Sequence, residues 1–307
     1  MKYLSFLVGL LLFAACNGKQ QQTVEEQQPA PVFEMITVPT MITDPEQRAE
    51  YLAKHYWDKF DFRDTNFIHH SKEVEQAIVN YVDVLSRISP EVASTTIKDM
   101  MKKAEADSSM FVLIGNLYEK YLYEPNSPLR NEDLYIPVLE ATLASPVLDD
   151  INKIRPEHLL NLAKKNRVGM PAANFTYTLE NGQKGTLYGV KSEYVLLYFF
   201  NPDCSACKDI TAQLSQSPIL AELMRTKELK ILAVYPDEDL TAFKTHLPDM
   251  PQEWIISYDK TVTLKQDEVY DLKAIPTLYL LDKNKKVLLK DVTVPQIEES
   301  LIMNIMR

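Results

Sequence analysis

Glycine is scarce in this chain, seven positions among 307, and so few glycines argue against a loop-dominated architecture. Cysteine is scarcer still, with only Cys16, Cys204 and Cys207. A zinc site built on Cys204 and Cys207 needs two more ligands. Neither Cys16 nor the five histidines stand in a paired spacing that supplies them. Covalent haem attachment needs histidine directly after the second cysteine, and Lys208 stands there. The reading is therefore of no metal and no cofactor. Basic charge is also in deficit: 33 Lys and Arg face 43 Asp and Glu, for a net −10, and no basic stripe runs through either half. Nucleic acid is not an expected partner. The one long apolar segment, Leu4 to Ala15, is too short to span a bilayer comfortably, and no internal repeat is evident.

What the chain does have centres on Tyr194 to Lys208, YVLLYFFNPDCSACK. The unbroken apolar and aromatic run Val195–Phe200 suits a strand covered on both faces. It leads directly into Cys204-Ser205-Ala206-Cys207. Beyond it, Ile210, Leu214, Leu220 and Leu223 are spaced for one buried face of a helix from Lys208 to Met224. Unpaired N–H groups in a helix's first turn stabilise a thiolate held there, which makes Cys204 the candidate nucleophile. Cys207, one helical turn on, is close enough to resolve a mixed disulfide. The bland reading is a structural disulfide.

Read together with Lys273-Ala274-Ile275-Pro276-Thr277, which precedes the apolar run Leu278–Asp282, this stretch resembles the thioredoxin superfamily. The resemblance implies an α/β fold of a central mixed sheet with flanking helices. It implies that Pro276 is cis beside the Cys-x-x-Cys motif and leaves the Ile275 backbone free to pair with an incoming substrate strand. Ile275, Thr277, Asp203, Ser205 and Ala206 would then line the substrate groove. Two departures stand out. Asp203 precedes the first cysteine, where its carboxylate opposes thiolate formation while Lys208 favours it. Tyr198 occupies the place of the buried acid found in many relatives, with Asp209 and Asp237 as substitutes.

The amino terminus has its own pattern. Met1-Lys2, the apolar run, and Phe13-Ala14-Ala15-Cys16 resemble a bacterial lipoprotein signal, with Cys16 as the lipidated residue. A simple secretory signal with an incidental cysteine is the alternative. Residues 17–38 are polar and Gln-rich and read as a flexible linker. Residues 39–166 read as helical, with Asp44-Pro45 and Ser89-Pro90 as start signals and helices near 46–60, 132–144 and 156–165. Val74, Ile78, Val82 and Leu85 form one core stripe; Phe111, Ile114, Leu117 and Tyr121 form another. The segment Tyr121–Leu139, interrupted at Pro125 and Pro128 before Asn131, resembles a helical domain of unknown function found in Bacteroidetes lipoproteins ahead of a thioredoxin-like domain. Packing is the reading for Arg130 and its flanking tyrosines.

Residues 167–307 open on Gly169-Met170-Pro171-Ala172, Phe175–Leu179 and the hairpin signal Asn181-Gly182. This resembles the extracytoplasmic TlpA/ResA group and the peroxiredoxins; the latter place threonine three residues before the catalytic cysteine, where this chain has Asn201. Further elements are read as strands 229–235 and 254–258, helices 240–246 and 264–270, and a last helix after Pro295. Lys283–Lys286 reads as a solvated hairpin tip. The resemblance implies a lipid-anchored, periplasm-facing thiol-disulfide oxidoreductase of the bacterial envelope, a reductant of protein disulfides served by an unidentified electron donor. The alternatives are a non-catalytic binding module docked through the helical domain and, more weakly, a thiol peroxidase.

Overall fold

The computed structural model describes residues 31–305. Cys16 and the signal-like segment lie outside them. Seven helices come first: α1 Pro45–His55, α2 Asn66–His69, α3 Ser71–Leu85, α4 Pro90–Ala104, α5 Ser108–Tyr118, α6 Glu132–Ala144 and α7 Asp150–Ala163. Asp44 caps α1 and Ser89 caps α4, each followed by proline at the first helical position, where its missing N–H costs nothing. Val74, Ile78, Val82 and Leu85 all face a continuous helical core. That core starts earlier than residue 39. Phe33, inside the stretch read as a linker, packs on Tyr56, Trp57 and Phe60 with ring centroids 5.4, 5.3 and 5.9 Å away. Helix α7 begins six residues before the expected 156, because Asp149 accepts from Asn152 N at 3.0 Å and starts it, leaving Pro156 inside.

The second half supplies β1 Thr176–Leu179, β2 Lys184–Thr186, β3 Tyr194–Phe199, α8 Ser205–Gln216, α9 Pro218–Arg225, β4 Leu229–Tyr235, α10 Leu240–His246, β5 Ile255–Tyr258, α11 Thr263–Gln266, β6 Thr277–Asp282, β7 Val287–Lys290 and α12 Val294–Ile305. The strands form one mixed sheet in the order β2-β1-β5-β4-β3-β6-β7. Central β3 is parallel to β4 and antiparallel to β6. Its alternation divides the core: Leu196, Tyr198 and Phe200 face α8, α9, α10 and α12, while Val195, Leu197 and Phe199 face the 172–190 segment, Leu264 and Tyr270. This is the α/β arrangement anticipated, and β4-α10-β5-α11 fills the span between Cys207 and Pro276.

Three local expectations are corrected. The helix read from 208 to 224 is two helices. Ser217 caps α9 through Leu220 N, and Pro218 has no N–H to continue α8. The helix read over 264–270 stops at Gln266; Glu268 takes a left-handed φ of 49°, and Tyr270 turns into the core. Lys285, expected in solvent, is only 2% exposed. The 169–172 segment covers it: Gly169 N donates to Val287 O and Ala172 N to Lys285 O, both at 2.8 Å. Burial lowers the Lys285 pKa, and its ammonium donates to Lys283 O at 3.1 Å. Among the described residues, no helix is long and apolar enough to cross a membrane.

Candidate redox site

Strand β3 ends at Phe199, and the chain then turns through Asn201-Pro202-Asp203 into α8. The Asn201 side chain shapes that turn: its Oδ1 accepts from Asp203 N at 2.9 Å, while Cys204 N donates to Asn201 O at 3.1 Å. Cys204 is thereby held at the N-cap of α8, with extended φ −84° and ψ 122°. Its thiol is partly accessible, whereas Cys207 in the first turn is buried. Both are free thiols. Burial pushes the Cys207 thiol up to about 12, opposed by the Asn201 N–H, which donates to Cys207 Sγ at 3.4 Å.

The face opposite Cys204 comes from the loop before β6. The Ile275–Pro276 peptide is cis. The Cys204 thiol lies 3.6 Å from the Ile275 carbonyl oxygen, to which it donates. Thr277 is buried, opposite Phe199 in the sheet, and its hydroxyl donates to Ala274 O at 2.5 Å, so its side chain braces the loop from inside and does not line a groove. Ser205 and Ala206 are exposed on the first turn of α8. Asp203 is exposed too, and its carboxylate meets His246 Nε2 from α10 at 3.2 Å.

Tyr198 stands where many relatives have an acid. Its hydroxyl donates to the Cys207 carbonyl at 2.8 Å and lies 3.1 Å from Thr211 Oγ1, which ties β3 to the first two turns of α8. Asp209 is exposed. Asp237 is nearer: its Oδ2 accepts from Asn201 Nδ2 at 2.9 Å, and its Oδ1 pairs with Lys265. The asparagine at the peroxidase-discriminating position is thus fully engaged in holding the turn. Residue spacing finds Cys204 and Cys207, and the resemblance to the thioredoxin superfamily adds Ile275-Pro276. Both miss His246 and Lys265, which arrive from separate elements. Tyr198, singled out from sequence as standing in the acid's place, lies in the same core cluster as Cys207 because the alternation of β3 puts it on that face.

Residues 14–166 match a family described as a domain of unknown function, DUF5106, and residues 192–287 match a thioredoxin-like family. A thioredoxin-like protein from Bacteroides caccae is similar along nearly its whole length, with 49% identity, a TM-score of 0.87, and coverage of 89% of this chain and 99% of that one. The C-terminal domain of an uncharacterized protein from Bacteroides fragilis is 50% identical over 45% of this chain and 98% of that one, with a TM-score of 0.44. No curated protein matches significantly. The fold, the paired family matches and the full-length likeness together identify this chain as a member of the thioredoxin-like proteins, with a DUF5106 domain ahead of the thioredoxin-like one.

Proposed function

We propose that the protein is a thiol-disulfide oxidoreductase whose substrates are protein disulfides. One observation carries this reading: a partly exposed Cys204 at a helix N-cap, 3.6 Å from the Ile275 carbonyl, backed by a buried Cys207. In the reductive direction, the Cys204 thiolate attacks one sulfur of a substrate disulfide. A mixed disulfide forms and the other substrate sulfur leaves as a thiolate, which takes a proton. Cys207 then loses its proton and attacks Cys204 Sγ, releasing the second substrate thiol and leaving a Cys204–Cys207 disulfide. A dithiol donor returns the two electrons. The high pKa of Cys207 keeps it protonated at neutral pH, so Cys204 attacks first.

Substrate backbone would pair with Ile275, adding an extended segment beside the active cysteine. The reductive direction rests on resemblance to the TlpA/ResA group. Lipid anchoring through Cys16, facing the periplasm, rests on the Phe13–Cys16 pattern. A Cys207→Ser variant expressed in a bacterial envelope tests these points together. Adducts that depend on Cys204 and dissolve in dithiothreitol should accumulate in the membrane fraction. A folded variant that traps no adduct would favour the binding-module alternative; adducts found only in the soluble fraction would remove the anchor.

A further inference from the structure

Strand register puts the helical domain's grip at the redox end of the sheet. Thr277 stands opposite Phe199, so β6 starts beside the end of β3 that leads to Cys204. Tyr279 stands opposite Lys290, and Asp291 N donates to Leu278 O at 2.9 Å, so β7 ends at that same edge. There the first residue of α6 enters. The Glu132 carboxylate reaches Lys290 Nζ at 2.5 Å and Lys273 Nζ at 3.4 Å. Lys273 is held on two further sides, by Asp271 Oδ2 at 2.6 Å and by the ring of Tyr123, whose centroid lies 3.7 Å from the ammonium. The Glu132 and Lys273 side chains are 12% and 13% exposed, and Asp271 is 3% exposed. Such a pair is weakly screened and geometrically demanding.

Lys273 lies two residues before Ile275, whose carbonyl faces Cys204. We propose that Glu132 is a positioning residue for the redox site: through Lys273 it holds the Lys273–Pro276 segment where the Ile275 backbone can receive a substrate chain. The helical domain then takes part in substrate binding by fixing the loop the substrate pairs with. Small displacements of a docking surface are costly when the reacting atoms must meet in line. This inference rests on the oxidoreductase reading, and it separates two kinds of substrate. A polypeptide disulfide needs the Ile275 backbone; a small aromatic disulfide needs only Cys204.

The test compares the full-length protein with Glu132→Gln and Glu132→Asp, using insulin with dithiothreitol as reductant, and bis(nitrobenzoate) disulfide with the pre-reduced protein as the sole thiol, dithiothreitol having been removed. Glu132→Gln should raise KM for insulin about tenfold, change its kcat less than twofold, and leave the small-disulfide rate and the Cys204–Cys207 potential unchanged. Glu132→Asp should recover part of the KM loss. Tyr123→Leu loosens Lys273 without stranding a buried charge, and it should raise the insulin KM about threefold even if Glu132→Gln folds poorly. An insulin KM unchanged in Glu132→Gln while the wild type is active, or an equal loss on both disulfides, would overturn the positioning role alone. A folded wild type that reduces neither disulfide would overturn the oxidoreductase reading and this inference with it.

Discussion

The two sulfurs of the candidate site differ by environment more than by sequence neighbourhood. Cys204 opens toward solvent, while Cys207 is wrapped by Tyr198, Asn201 and the hydrophobic face of α8. With the Cys207 pKa near 12, its thiolate fraction at neutral pH is on the order of 10⁻⁵. In a Cys204→Ser variant, the logarithm of the Cys207 alkylation rate should therefore climb with unit slope from pH 7 to 10, with no plateau. A plateau below pH 9, followed with iodoacetamide and mass detection, would remove the burial argument. At this scale the sequence is legible where chemistry is local. Cys204 and Cys207 share one helical turn, and Ile275-Pro276 is a contiguous pair. The His246–Asp203 and Asp237–Asn201 contacts join residues 43 and 36 positions apart and leave no local pattern.

Elements were legible where caps and prolines coincide with hydrophobic spacing, as at Asp44-Pro45 and Ser89-Pro90. Ser217-Pro218 is the same signal, yet the apolar positions Leu214, Leu220 and Leu223 line up across it, because α8 and α9 pack on one face of the sheet. Periodicity reports which face is buried, not whether the backbone is continuous. Helix α6 illustrates how elements are then tied together. Its Glu140 meets Lys98 of α4 at 2.8 Å and Lys164, just past α7, at 2.9 Å. Those partners, Lys98 first, hold the Glu140 carboxyl below its ordinary 4.5. A depressed carboxylate pKa stabilises the fold above the unfolded value, and that contribution disappears as pH falls through the folded one. Glu140→Gln should thus lower stability at pH 7 by roughly 0.5–1 kcal/mol, the range for partly exposed pairs, and by progressively less as pH falls below 4.5. Urea midpoints for both proteins across that range would show the gap closing; a gap that is constant with pH would mean packing, not charge, is responsible.

At the scale of the whole molecule the two halves meet through side chains that no local pattern announces. Asn166, buried and left-handed at φ 50°, donates to Val269 O at 2.9 Å and accepts from Ala173 N at 2.7 Å. Arg130, read from sequence as a packing residue, forms an ion pair with Asp291, whose side chain is 7% exposed. Desolvation raises the Asp291 pKa above its ordinary 3.8 even with Arg130 beside it, so at this carboxyl burial outweighs the attraction. Such a pair tolerates joint replacement better than the loss of one member. Arg130→Met alone strands the carboxylate and should cost about 3–5 kcal/mol. Adding Asp291→Asn should recover most of that loss, because asparagine removes the charge while tolerating the left-handed φ of 55° at this position, which a branched residue would not. Chemical denaturation of the single and double variants separates the outcomes. A double variant no more stable than Arg130→Met would mean that Arg130 acts through its contacts in the helical domain, and that the charge of Asp291 is incidental to the join.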